Sequence, residues 1–233
     1  MKNESFPYRD VCPNCRRIVS LCLCSKVRPF SITPKIVLLI HPNEFKKTVG
    51  TARLVHLSIR DSGLWRGYGR DFDTDPRVLA VLKDPTLHPM VLFPGEDSLN
   101  LSTETPEAIQ EKIPAARKLV FFVIDGTWGS ARQILRESKL LQTLPKVSFH
   151  VTEPSRYEFR KQPKQFCLST LEAVHVLIQN LIEKKLCAAP EGDAHHHLPV
   201  LFQHLVRSQL DFENDPANRQ RFLRNLRTST SSK

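Results

Sequence analysis

The stretch KLVFFVIDGTWGSARQIL, residues 118–135, constrains the fold most. Six apolar residues, Leu119 to Ile124, run unbroken into Asp125 and Gly126, and a segment with helical spacing of Ala131, Ile134, Leu135 and Leu141 follows. A strand that is apolar at every position has to be covered on both faces, and that happens in parallel sheets flanked by helices. Shorter runs repeat the theme: IVLLIH at 36–41 between Pro34 and Pro42, MVLFP at 90–94 before the turn GEDS, and KVSFHV at 146–151. VLAVL at 78–82 fits strand or helix. Helical stretches intervene at 51–59, at 105–113 with Thr105 as N-cap and Pro106 at the first position, at 130–141, at 170–186 and at 198–212. Residues 60–76, rich in Gly, Asp and Arg, read as loop. The pattern predicts an α/β domain: a mostly parallel sheet with helices on both faces. Ligands of such sheets sit beyond the carboxyl ends of the strands, and Asp125 falls at one of these ends.

With 40% hydrophobic residues in 233, the chain can build a real core. No apolar stretch is long enough to cross a bilayer. The segment MKNESFPYRDVCPN lacks the apolar centre of a signal peptide, so the expected location is cytoplasmic, without a membrane partner. The formal net charge of +10 favours a polyanionic partner, nucleic acid above all.

Four of the six cysteines lie within residues 12–24, as Cys12-x2-Cys15-x6-Cys22-x-Cys24. Reduced cytosolic thiols clustered in this way point to metal before disulfides. Four thiolates suit a small N-terminal zinc knuckle with structural Zn2+; an iron–sulfur cluster competes. Cys167 and Cys187 lie apart and suit a packing role.

Two loops carry the remaining signals. Leu168-Ser169-Thr170-Leu171-Glu172 opens the strongest helix. Ser169 and Glu172 have the spacing of a capping box, and the same helix start can face an anion with free N–H groups. The preceding loop holds Arg156, Tyr157, Arg160 and Lys161, cations interleaved with an aromatic ring, which suits phosphate contact and base stacking as well as a solvated basic face. Arg221, Arg224 and Arg227 form a second basic stripe in the tail. His41, at the end of the first strand, reads as a base or as a hydrogen-bonded strand-end residue. Asp125 and Thr127 are both plausible caps of the helix that follows them, and Trp128 suits either a ligand surface or the core.

Five stretches in order, CPNCRRIVSLCLC, HPNEFKKTVGTARL, VLFPGED, DGTW and SRYEFRKQP with LSTLEA, resemble the DTW-domain family, in particular its bacterial tRNA-uridine aminocarboxypropyltransferases. The resemblance covers roughly residues 12–175. It implies a SPOUT-like catalytic domain that transfers the 3-amino-3-carboxypropyl group of S-adenosylmethionine to N3 of a tRNA uridine, position 47 in bacterial members, releasing methylthioadenosine. On this reading Asp125 is the catalytic base or substrate-orienting acid. Asp125, Thr127, Trp128, Ser169, Thr170 and Glu172 hold the donor, and Arg156, Tyr157, Arg160 and Lys161 meet the tRNA. Cys12, Cys15, Cys22 and Cys24 hold zinc. The expected organisation is a zinc knuckle at 1–30, a DTW/SPOUT-like catalytic domain at 31–215 and a basic tail at 216–233, acting as a monomer. One departure is visible: Gly50 stands before Thr51 where the family usually has Asn. An S-adenosylmethionine-dependent RNA methyltransferase and a non-catalytic zinc-knuckle RNA-binding protein are the alternative functions.

Overall fold

A computed structural model describes residues 10–47, 49–114, 116–151, 155 and 168–216. Six strands form one sheet: β1 (Lys35–Ile40), β2 (Gly63–Arg66), β3 (Leu87–Leu92), β4 (Leu99–Asn100), β5 (Lys118–Asp125) and β6 (Lys146–Ser148). Their order is β2-β1-β5-β3-β6-β4, and every pairing is parallel. The helices are α1 (Pro42–Phe45), α2 (Ala52–Ser58), α3 (Pro76–Lys83), α4 (Pro106–Lys112), α5 (Trp128–Glu137), α6 (Lys139–Thr143), α7 (Thr170–Glu183) and α8 (His197–Asn214).

The uninterrupted apolar runs have the expected cause. Alternate residues of a strand point to opposite faces, and here both faces are covered. Ile36, Leu38 and Ile40 of β1, with Leu119, Phe121 and Val123 of β5, pack with α2, α4, α7 and α8. Val37, Leu39, Val120 and Phe122 face the other way, onto Phe72, α3, α5 and α6. The N-terminal knuckle joins the first of these cores through Cys12, Cys15, Leu23 and Phe30. Among the described residues no helix is long and apolar enough to cross a membrane.

Two local readings of the sequence need revision, and one left open is resolved. The loop read at 60–76 contains the edge strand β2, whose four residues give too short a run to stand out among Gly, Asp and Arg. The helix read at 130–141 is two helices. Ser138 breaks it, donating its hydroxyl to Asp73 Oδ1 (2.5 Å) while accepting from the Leu141 N–H (3.2 Å). VLAVL lies in helix α3, entered through Asp75, which accepts from the Arg77 N–H, and Pro76. Pro89 sits inside β3 at no cost to pairing. The Val91 N–H two residues on points towards β6, and β6 begins to pair only at Val91, so the donor that Pro89 lacks has no strand opposite it.

Candidate active site

The carboxyl ends of the central strands converge on Asp125. It is the last residue of β5, in register with Ile40 of β1. The next residue of the β1 connection, His41, donates its N–H to the Asp125 carbonyl at 3.1 Å. The Asp125 side chain is buried, and its Oδ1 accepts a hydrogen bond from Thr170 Oγ1. Two motifs 45 residues apart, DGTW and LSTLEA, therefore meet through one carboxylate and one hydroxyl. Gly126 lets the chain turn closely here: a Cβ at that position would come within 3.1 Å of Ser130 Cβ at the start of α5.

The start of α7 is a closed capping box. Ser169 Oγ accepts from the Glu172 N–H at 3.3 Å, and Glu172 Oε2 accepts from the Ser169 N–H at 2.8 Å. Ser155 Oγ also donates to Glu172 Oε2, at 2.7 Å. Ser169 and Glu172 are thus occupied in holding the helix start in place, and Thr170 is the member of the motif that reaches Asp125. Thr127 is likewise a cap, accepting from the Ser130 N–H at 3.2 Å. It leaves Asp125 out of the capping role that either residue could fill by sequence.

Trp128 is half-buried, its ring tilted 63° against Phe93 at 6.1 Å between centroids. Both rings line a cavity of about 240 Å³ above the ends of β3, β5 and β6, together with Gly126, Phe149 and Thr170. Trp128 is therefore a wall of the cavity and not a tryptophan packed beneath the sheet. A larger cavity, about 580 Å³, lies between α7 and α8 and reaches the motif only through Leu168 and Glu172. The smaller one sits where parallel sheets place ligands.

On the opposite side of Asp125, His41 is buried, and its Nδ1 accepts from the Asn43 N–H at 3.2 Å, capping α1. The strand-end reading of His41 is the one observed. A Cβ on Gly50 would find nothing nearer than 3.9 Å, so the position does not require glycine for want of space at the β-carbon. The sequence alone offered little reason to single out Phe93 or Phe149, because an aromatic at the end of an apolar strand reads as core. Arg156, Tyr157, Arg160, Lys161 and Cys167, and the tail arginines, lie outside the described residues.

The four cysteines Cys12, Cys15, Cys22 and Cys24 converge, with their sulfurs all within 4.8 Å of one another. Cys12 and Cys24 are 3.6 Å apart, and Cys15 and Cys22 3.8 Å. Bond lengths of about 2.3 Å around a tetrahedral zinc require sulfurs about 3.8 Å apart, so the set fits a metal ion. The Cys15 backbone N–H is the main cause holding the Cys12 thiol down at about 6, in reach of its thiolate form. Arg17, also buried, fixes the knuckle to α8: its guanidinium donates to Leu21 O at 2.7 Å and to Ser208 Oγ at 3.1 Å. Cys187 packs against the core, as expected, and burial pushes its thiol up to about 11.

The DTW domain profile matches residues 9–210. The mouse protein "tRNA-uridine aminocarboxypropyltransferase 2" is 29% identical over 188 residues, covering 79% of this chain and 60% of its own length. The fruit-fly protein of the same name is 30% identical over 169 residues, 70% of this chain and 63% of its own length. "tRNA-uridine aminocarboxypropyltransferase A" of Arabidopsis thaliana is 25% identical over 200 residues, 74% of this chain and 73% of its own length. The chain thus spans about three fifths of the length of the animal relatives. No solved structure matches it. With its cysteine cluster, its DGTW turn and its LSTLEA helix start all inside the matched region, the chain belongs to the DTW domain family.

Proposed function

We propose that this chain is a tRNA-uridine aminocarboxypropyltransferase, transferring the 3-amino-3-carboxypropyl group of S-adenosylmethionine to N3 of a tRNA uridine. The observation that carries the reading is the Asp125–Thr170 pair, buried at the end of the central strand beside a cavity walled by Trp128. The names of the relatives support the substrate and the group transferred. So does the net charge of +10, which suits tRNA.

The chemistry assigns each residue a task. Uracil N3–H is a poor nucleophile until it loses its proton. Asp125 takes that proton as general base, with the Thr170 hydroxyl fixing the orientation of the carboxylate. N3 then bonds to Cγ of the donor, the Cγ–S bond breaks, and its electron pair stays on sulfur, so that neutral methylthioadenosine leaves. Positioning selects Cγ over the methyl carbon. Trp128 and Phe93 supply flat, electron-rich surfaces for adenine or for the sulfonium cation. Ser169 and Glu172 hold the start of α7 in place, and Thr127 that of α5. Arg156, Tyr157, Arg160 and Lys161 meet tRNA phosphate and bases. Cys12, Cys15, Cys22 and Cys24 would hold Zn2+, which would cross-link the knuckle structurally. The reading carries a cytoplasmic enzyme acting as a monomer on uridine 47.

The test is purified protein with S-adenosylmethionine and an unmodified tRNA transcript, followed by mass spectrometry of the nucleosides. The expected products are acp3U and methylthioadenosine. A methylated nucleoside instead would replace this reading with a methyltransferase, and tRNA binding with no transfer would replace it with an RNA-binding role.

A further inference from the structure

Asp125 has two sides. The Trp128 cavity covers the ends of β5, β3 and β6. Over the ends of β1 and β2 lies a different surface, which the reaction described above leaves unused. Its centre is Tyr68, two residues after β2. At 48% exposure it is, among the described residues, the one exposed Phe, Trp or Tyr. Its ring stands edge-on to His41, 5.2 Å between centroids and 88° between planes, and His41 is the residue whose N–H meets the Asp125 carbonyl.

The exposure is not looseness. Tyr68 N–H donates to Asp71 Oδ2 at 2.8 Å, and Gly67 N–H to Ile40 O at 3.2 Å. The flanking glycines lock the segment against its neighbours. A Cβ on Gly67 would lie 3.1 Å from the Phe72 ring, and one on Gly69 would lie 2.6 Å from Ile134 O and 2.5 Å from Glu137 Cβ. The backbone at 67–69 is therefore packed on both sides while the ring between is held out. A ring held out on a fixed backbone offers a rigid contact surface that costs little to order on binding.

The surroundings are cationic. Arg66 and Arg70 flank Tyr68 and are both exposed, as is Lys46 on the turn after α1. Arg53 and Arg66 lie over the Phe45 ring, 3.9 and 5.1 Å from its centroid. The nearby carboxylates have partners of their own: Asp71 holds the Tyr68 N–H, Glu44 pairs with Lys47, and Asp73 caps α6. An aromatic platform rimmed by arginines and adjacent to a catalytic carboxylate matches single-stranded nucleic acid, whose bases stack while its phosphates are neutralised.

We infer that RNA enters over the β1–β2 edge and that a base of the substrate, unstacked for reaction, lies on Tyr68 with Arg66 and Arg70 on its flanking phosphates. This rests on the transferase reading and deepens it, putting RNA and donor on opposite sides of Asp125. The test measures the affinity of an unmodified tRNA transcript by fluorescence anisotropy over a salt series, with acp3U formation read in parallel. Tyr68→Ala weakens tRNA binding roughly tenfold, and Tyr68→Phe stays within about twofold of wild type. Arg66→Gln with Arg70→Gln lowers the salt slope by about 2. Donor affinity is unchanged in all of them, and thermal melts fall by no more than a few degrees, because the three side chains are exposed and lose only the Phe45 and His41 ring contacts. Wild-type tRNA affinity in Tyr68→Ala overturns the inference. If Tyr68→Ala loses tRNA affinity but wild-type protein makes no acp3U, the surface stands and the transferase reading falls.

Discussion

The cysteine knuckle and the strand-end site are assembled in opposite ways. The knuckle draws its four sulfurs from thirteen consecutive residues, and short backbone bonds shape it: Cys12 N–H to Arg17 O and Arg16 N–H to Cys12 O, at 2.8 and 2.9 Å. The strand-end site draws His41, Asp125 and Thr170 from three distant segments and exists only because the sheet aligns them. A local cluster can be lost while the sheet still stands. A distributed site depends on every element around it, yet its individual side chains contribute little to holding those elements together. The same kind of substitution should therefore be felt as activity in one region and as stability in the other.

The largest expected effect tests the distributed side. Asp125→Asn keeps the size and the partner atom for Thr170 but removes the base, so transfer should fall by about 10²–10⁴-fold in a single-turnover assay. The melting temperature should move by only a few degrees. A large loss of stability with it would make Asp125 a structural residue and erase the contrast. On the knuckle side, Cys15→Ser or a strong chelator should lower stability by an amount on the order of several kcal/mol, read by calorimetry, because metal binding is coupled to folding. Activity at temperatures well below the melt should be affected less than by Asp125→Asn. Thr170→Val comes next, with transfer down roughly tenfold for the loss of one orienting hydrogen bond. It should leave donor-independent tRNA binding alone. Thr127→Ala should cost about 1 kcal/mol of stability for a lost helix cap, measurable by urea denaturation.

A last effect, silent at neutral pH, is a pH dependence belonging to neither region. Burial, with His195 and His196 as neighbours, holds the His175 imidazole down at about 4, against an ordinary 6.5. The rings of all three stand 4.2–5.6 Å apart. The unfolded chain takes up this proton first as pH falls, so full stability is present above about 6.5 and is lost progressively down to about 4. His175→Gln should flatten that part of a stability–pH curve. An unchanged slope would assign the acid sensitivity to the other imidazoles that burial holds down, His56, His88 and His195.

How much of this was legible follows the same division. The convergence of the four cysteines was legible in their spacing, because they share one short segment. Strands β1, β3 and β5 showed as apolar runs because parallel strands are buried on both faces. Asp125 was legible by position, at the mouth of the clearest strand. Its partner was not: LSTLEA reads as a cap at Ser169, and that Thr170 reaches across 45 residues is a tertiary fact with no periodicity to announce it. Edge strand β2 was hidden by its Gly and Arg, and Tyr68 with it, since a Gly-Tyr-Gly turn reads as loop. The break at Ser138 depends on Asp73, 65 residues away.

The Arg17–Ser208 hydrogen bond joins residues 191 positions apart. On a ribosome adding about 5–20 residues per second, the two are made about 10–40 s apart. All thirteen residues of the knuckle are made before the first strand of the sheet. The contacts of Phe30 with Ser58 can close early, as soon as α2 is made, whereas the Arg17 contact can close only after α8 is made. The same small knuckle is thus anchored to both an early and a late part of the chain.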